Sequence, residues 1–148
     1  MANSTTDAGD GVERTQVGAG GVPTLVFDGA CGFCTVSSRW IAGRWSGPGR
    51  ALPYQELDRA ELARLGLSPS QVGDAAWWVD EDGMAWSGHD AIARSLAAGR
   101  GWRRTLGRVL LRPPLRRLGS VAYPVVARHR RRLPGSDPVC RPQGGCDV

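Results

Sequence analysis

Two cysteines separated by two residues, Cys31 and Cys34, are the part of this sequence best suited to chemistry. Asp28 stands three residues before the first cysteine, which gives the pattern Asp28-x-x-Cys31-x-x-Cys34. In such a pair one sulfur can attack a disulfide, and the other can resolve the mixed disulfide that forms. The pattern therefore predicts thiol-disulfide exchange, and its alternatives are a pair of ordinary buried cysteines or a metal-binding knuckle.

The residues around the pair predict a strand, a tight turn and a helix. The apolar run 25–27 has strand-forming residue types and breaks at Asp28-Gly29, and apolar positions then recur at helical spacing to about Trp45. Cys31 falls at or just before the first helical turn, where unpaired N–H groups and the helix dipole favour a thiolate. We expect Cys31, nearer the outside, to be the nucleophile and Cys34, one turn inward, to be the resolving thiol.

Asp28 has two candidate roles. Its carboxylate could accept hydrogen bonds from the N–H groups that follow it, as in an Asx-type turn. It could instead accept a proton from Cys34, because a carboxylate near Cys31 would oppose a thiolate there and would help only in the resolving step. The sequence leaves both roles open.

This motif resembles that of the DCC family of thioredoxin-like thiol-disulfide oxidoreductases. The stretches 76–83 and 88–91 and the segment 123–130 are also similar to that family, so the resemblance covers roughly residues 22–132. It implies a thioredoxin-like fold, an enzyme that needs no metal or organic cofactor, and reduction by an unidentified electron donor. The uncharged Gly32-Phe33 between the cysteines favours a reductase over a strong oxidant. Residues 72–75 lack the proline that thioredoxins place there, which leaves room for a smaller substrate.

The order of predicted elements, β-α-β-α-β-β-α, indicates an α/β protein, and the resemblance makes it a thioredoxin-like sandwich with a mixed sheet of about four strands. We predict a disordered leader over residues 1–21 and the thioredoxin-like domain over 22–99. An Arg-rich helical extension that packs on the domain follows over 100–132, and a flexible tail containing cysteines over 133–148. The 148 residues are enough for one domain with a substantial core.

Charge is distributed unevenly along the chain. Residues 1–90 carry a net charge of −6, whereas residues 91–148 carry +11, and every basic residue is arginine. Three uses of the segment Arg100 to Arg132 stay open: packing its apolar stripe on the domain, peripheral contact with an anionic membrane, or attraction of an acidic thiol substrate or, least favoured, nucleic acid. The sequence shows no signal peptide and no apolar stretch long enough to span a membrane, so we predict a cytoplasmic protein.

The remaining candidates for chemistry are weaker. Cys140 and Cys146 could join Cys31 and Cys34 in a zinc site, or could exchange disulfides with them. We interpret His89 as a helix-start residue and His129 as solvated among arginines. Trp77 and Trp78, adjacent on a strand, are predicted to point to opposite faces as core residues, and Trp40 and Trp45 are predicted to be core as well.

The predicted function is therefore a thiol-disulfide oxidoreductase of the protein-disulfide reductase type. Its substrate would be a disulfide-containing protein or a small thiol. The alternative is a module without enzymatic activity, thioredoxin-like or stabilised by zinc, that docks through its basic C-terminal segment.

Overall fold

The computed structural model of the protein describes residues 21–129 and residue 132. The predicted leader, apart from residue 21, and the predicted tail with Cys140 and Cys146 lie outside these residues. The elements, in chain order, are β1 (Thr24–Phe27), α1 (Gly32–Ala42), β2 (Arg50–Pro53), a 3₁₀ turn (Tyr54–Glu56), α2 (Arg59–Arg64), α3 (Pro69–Asp74), β3 (Trp77–Val79), β4 (Ala85–Ser87), α4 (Gly88–Ala97), α5 (Trp102–Leu110) and α6 (Pro113–His129).

The four strands form one mixed sheet in the order β2-β1-β3-β4. Strand β1 pairs in parallel with β2 and antiparallel with β3, and β3 pairs antiparallel with β4. Helix α1 supplies the crossover that a parallel pair of strands requires. This topology confirms the predicted α/β class and is consistent with a thioredoxin-like fold.

Helices cover both faces of the sheet, and two apolar clusters lie between the layers. On one face Val26 and Trp77 pack with residues of α2 and α3, and on the other Leu25 and Trp78 pack with Ala91 of α4. Helix α1 contacts α4 and therefore lies in the second of these layers. The adjacent Trp77 and Trp78 are both buried, on opposite faces, as predicted.

Local sequence signals mark the starts of α2 and α3. Ser68 and Asp58 each form a capping box with the residue three positions later, and Pro69 occupies the first turn of α3. Helix α1 ends at Ala42, three residues before the predicted end at Trp45, and turns follow it. Strand β2 ends at Pro53, and the 3₁₀ turn follows it directly.

The prediction that Trp40 belongs to the core is wrong. Its residue surface is 46% exposed, and its ring contacts that of the still more exposed Trp102 on α5. The guanidinium group of Arg103 lies 3.5 Å from the centre of the Trp40 ring and donates a hydrogen bond to the Trp40 carbonyl. Stacked contact with an arginine, rather than burial, thus accounts for this tryptophan. Trp45 is half-buried against Trp78.

Helices α5 and α6 both pack on α4. Helix α6 continues through Pro124, although proline in a helix interior removes one backbone hydrogen bond. Its apolar stripe does not pack on the domain, because Leu118, Val121 and Val125 are 59–70% exposed. The opposite side of α6 makes the contacts, and the extent of the extension, residues 100–132, stays a prediction.

Candidate active site

The loop between β1 and α1 ends at Cys31, and the first turn of α1 carries Cys34, as the sequence predicts. Cys31 is the N-cap residue of α1, with φ −93° and ψ 109°, and Cys34 lies in the first turn. The Cys31 carbonyl accepts hydrogen bonds from both the N–H and the hydroxyl of Thr35, at 3.0 and 3.1 Å. These bonds fix the backbone at Cys31, where the turn meets the helix.

Two donors of Cys34 are directed at the sulfur of Cys31. The Cys34 N–H lies 3.3 Å from Cys31 Sγ, and the Cys34 thiol donates to the same sulfur at 2.6 Å. Hydrogen bonds to a charged acceptor are stronger than those to a neutral one. The arrangement therefore stabilises negative charge on Cys31 once its proton has left.

The exposure of the two cysteines is the reverse of the expected order. Cys31 is buried, with 7% of its surface exposed, whereas Cys34 is half-buried. Cys31 caps the helix from a loop that lies against β2. This contact buries Cys31 more than its position at the start of a helix would. Access from solvent to the Cys31 sulfur is therefore restricted.

Asp28 makes the contacts of a turn residue. Its Oδ1 accepts a hydrogen bond from the N–H of Ala30 at 3.0 Å, and its carbonyl accepts one from the N–H of Cys31 at 3.3 Å. These bonds fit the Asx-type turn predicted from the sequence. The proposed role of Asp28 as a proton acceptor for Cys34 stays a prediction.

Gln55 is a site residue that the sequence analysis missed. Its amide group donates from Nε2 to Asp28 Oδ1 at 2.7 Å and accepts at Oε1 from the N–H of Gly29 at 2.9 Å. The parallel pairing of Phe27 with Pro53 brings this glutamine beside the loop. No local signal could identify it, since the contact joins residues 26 and 27 positions apart.

Gly29 is required by the same close approach. A Cβ atom at this position would lie 2.5 Å from Pro53 Cβ and 3.0 Å from Gln55 Oε1. Such distances are shorter than any ordinary carbon contact, so the loop can lie against β2 only with glycine here.

Polar groups from α4 and α6 meet at the same end of the sheet. The Arg116 guanidinium binds the Asp90 carboxylate through both oxygens, with donor-acceptor distances from 2.6 to 3.1 Å. Tyr123 accepts at its hydroxyl the hydrogen bond of the Ala76 N–H, which directly precedes β3. The His89 ring lies against Gly119 at the second position of α4, where the sequence predicted a helix-start residue. Two side chains therefore anchor α6 beside the strand ends.

Within residues 21–129, no group of three or more His, Cys, Asp or Glu side chains could hold a metal ion. The alternative zinc site depends on Cys140 and Cys146, which the structure does not describe.

His129, on the last turn of α6, is exposed, as predicted. None of the helices in the described part of the chain has both the length and the apolar character needed to cross a membrane.

A comparison with protein families gives a match over most of the chain. The model of a family described as DCC1-like thiol-disulfide oxidoreductase matches residues 25–136, which include the cysteine loop and helices α1 to α6. Neither the curated proteins nor the solved structures gave a significant match to this chain.

Proposed function

This chain belongs to the DCC1-like thiol-disulfide oxidoreductase family, and we propose that Cys31 and Cys34 form its redox dithiol and that it works as a reductase. The family makes the chain an oxidoreductase that acts on disulfides, so the interpretation as an enzyme holds over that of a non-enzymatic module. The observation that carries the residue assignment is the pair of Cys34 donors directed at Cys31 Sγ.

The proposed reaction moves two electrons from the dithiol to the substrate. The Cys31 thiolate attacks one sulfur of a disulfide, forms a mixed disulfide and releases the first substrate thiolate. Cys34 then loses its proton and attacks Cys31 Sγ, which forms the Cys31–Cys34 disulfide and releases the second substrate thiolate. An external dithiol, whose identity is open, returns the pair to the reduced form.

Trapping the mixed disulfide tests which cysteine attacks. We expect Cys34→Ser to accumulate a one-to-one mixed disulfide on residue 31 after mixing with a disulfide such as glutathione disulfide. Cys31→Ser should accumulate little, because the proposed nucleophile is then absent. Peptide mass spectrometry of the two variants reads the outcome directly. If only the Cys31→Ser variant accumulates a mixed disulfide, on Cys34, the assignment is reversed. The more exposed cysteine, Cys34, would then be the one that attacks the substrate.

The role of Asp28 is tested separately by Asp28→Asn. An asparagine keeps the oxygen that accepts from the Ala30 N–H, so a turn role predicts that most activity remains. Stopped-flow kinetics should then show a resolving step close to that of the natural protein. A slow resolving step with accumulated mixed disulfide would assign Asp28 as the proton acceptor for Cys34 instead.

The reductase direction is supported by the uncharged pair Gly32-Phe33 between the cysteines. We expect a reduction potential nearer to the value of about −270 mV found for thioredoxin than to about −120 mV, the value of a strong oxidant. Equilibration with glutathione redox buffers measures it, and a value at the oxidising end would contradict the proposal. A reductase of this kind would work in a reducing compartment such as the cytoplasm.

A second proposal concerns α6, whose outward stripe of Leu118, Val121 and Val125 is exposed. The segment 100–129 contains no acidic residue, and exposed arginines on α6, including Arg117 and Arg128, accompany the stripe. An apolar stripe bordered by cations suits the interface of an anionic bilayer. We propose that α6 lies on such a surface.

Vesicle sedimentation tests this contact. The full chain should bind vesicles containing phosphatidylserine at low salt, and Leu118→Gln with Val121→Gln should remove most of the binding. Val36→Gln is the matched control, because Val36 is equally exposed but lies on α1. Absence of binding at low salt would contradict the proposal. Dimerisation that the double variant abolishes would identify a second copy of the chain as the occupant.

A further inference from the structure

A cavity of about 530 Å³ lies between the start of α4 and the inner side of α6. Its size is within the range of small-molecule sites, about 300–1,000 Å³, and is small for a folded protein segment. The residues that matter for its chemistry are Ala75, Ser87, His89, Asp90, Arg117 and Ser120.

Sheet register places this cavity at the same end of the molecule as the cysteines. Val26 pairs with Trp77, and Trp77 pairs with Ser87 at the end of β4. Two strand spacings of about 4.8 Å separate β1 from β4, so Ser87 lies about 10 Å from the β1 residue that faces it. Strands β1 and β4 run in the same direction, and the cysteine loop and α4 both begin where these strands end. A ligand in the cavity would thus lie at the end of the sheet that carries the cysteine loop.

The charged groups of the cavity leave one arginine uncommitted. The Asp90 carboxylate is neutralised by Arg116, which binds both of its oxygens. Arg117 lines the cavity, is exposed and forms an ion pair with none of the described residues. The charged groups Asp90, Arg116 and Arg117 together give the wall one net positive charge.

One further donor faces the same space. Ser87, the N-cap residue of α4, lines the cavity and makes no side-chain capping bond, so its hydroxyl can donate a hydrogen bond to a ligand. The His89 ring borders the cavity, but its two nitrogens are closed to solvent, because the ring packs against Gly119.

We propose that this cavity binds the carboxylate group of a small, anionic disulfide and thereby places its sulfur atoms against Cys31. The proposal rests on the exchange reaction proposed above and adds the substrate class. The cavity supplies binding and orientation only. The bonds made and broken are those of the two exchange steps, and the reductant is again an external dithiol.

The test compares two small disulfides on the fully reduced chain. Glutathione disulfide carries carboxylates, and bis(2-hydroxyethyl) disulfide is uncharged. We expect Arg117→Ala to lower the ratio of their two rate constants by about three- to tenfold, the effect of one charge-assisted contact. Arg104→Ala removes the same charge from an exposed position on α5 outside the cavity and should leave the ratio unchanged. A ratio that responds equally to both variants, or to neither, would overturn the proposal.

A binding measurement separates this proposal from the exchange reaction itself. S-methylglutathione has the carboxylates but no disulfide, and calorimetry should detect binding that Arg117→Ala weakens by a similar factor. If neither disulfide reacts but this ligand binds as expected, the exchange reaction has failed and the cavity assignment stands. If exchange proceeds but the ligand does not bind, the cavity assignment is wrong.

Discussion

The cysteine loop and helix α6 are both attached to the sheet by hydrogen bonds, but in different ways. The loop from Asp28 to Cys31 is held by backbone bonds to its own neighbours and by one glutamine, and it lies close against β2. Helix α6 is held by two side chains, Arg116 and Tyr123, and exposes its apolar stripe. The loop thus has little freedom to change its position, whereas α6 depends on two separate anchors.

This difference shows how the two regions serve the proposed chemistry. Exchange requires two sulfurs at fixed separation, which a helix start held by several short backbone bonds can provide. The wall of the cavity must accept and release a ligand, which an element held by few anchors allows. Substitutions in the two regions should therefore change different measurements.

The largest expected effect is at the anchor between α6 and α4. Arg116→Met leaves the Asp90 carboxylate, 7% exposed in its side chain, without its bidentate partner. We expect a loss of about 2–3 kcal/mol in the free energy of unfolding, below the full cost for a wholly buried pair because Arg116 is partly exposed. Urea unfolding monitored by tryptophan fluorescence measures it. Arg104→Met should cost little, and an equal loss in both variants would show that the ion pair does not anchor α6.

A smaller loss of stability but a larger loss of activity is expected at Gly29. The Cβ of Gly29→Ala would lie 2.5 Å from Pro53 Cβ, so the loop or β2 must shift. Overpacking of this kind costs about 2 kcal/mol, and displaced sulfurs should slow exchange about tenfold. Gly47→Ala is the control, because nothing lies within 4 Å of a Cβ at that position. An unchanged exchange rate in Gly29→Ala would mean that the loop tolerates movement.

The smallest effect is expected from Tyr123→Phe. This change removes the hydroxyl that accepts from the Ala76 N–H at 3.1 Å, and it should cost about 1 kcal/mol in unfolding free energy. Because Tyr123 itself lines the cavity, we also expect weaker binding of S-methylglutathione. Tyr54→Phe serves as the control, since the described structure gives the Tyr54 hydroxyl no hydrogen bond. Equal stability of the two variants would remove Tyr123 as an anchor.

Sequence patterns predict those parts of the molecule that depend on neighbours in the chain. The apolar run before Asp28-Gly29 predicts β1, and Cys31 falls at the helix N-cap as expected. Ser68-Pro69 likewise marks the start of α3. In each case a few adjacent residues determine the local backbone geometry, so a short window contains the necessary information.

The features that were missed depend on residues distant in the chain. Gln55 reaches the cysteine loop only because β2 pairs in parallel with β1. The stripe of α6 has helical periodicity, but periodicity does not specify which side meets the domain, and Arg116 and Tyr123 orient it outward. Trp40 was predicted to be a core residue because it is apolar. In the structure it lies at the surface, where its ring contacts Arg103 and Trp102.

Strand β2 affects how this protein meets copies of itself. It lies at one edge of the sheet, is four residues long, begins with Arg50 and ends with Pro53. A short edge with a charge at one end and a proline, which lacks an N–H group, at the other is a poor template for another strand. We therefore expect the sheet to resist edge-to-edge association and amyloid-like growth, so that any self-association at high concentration would proceed through helical surfaces.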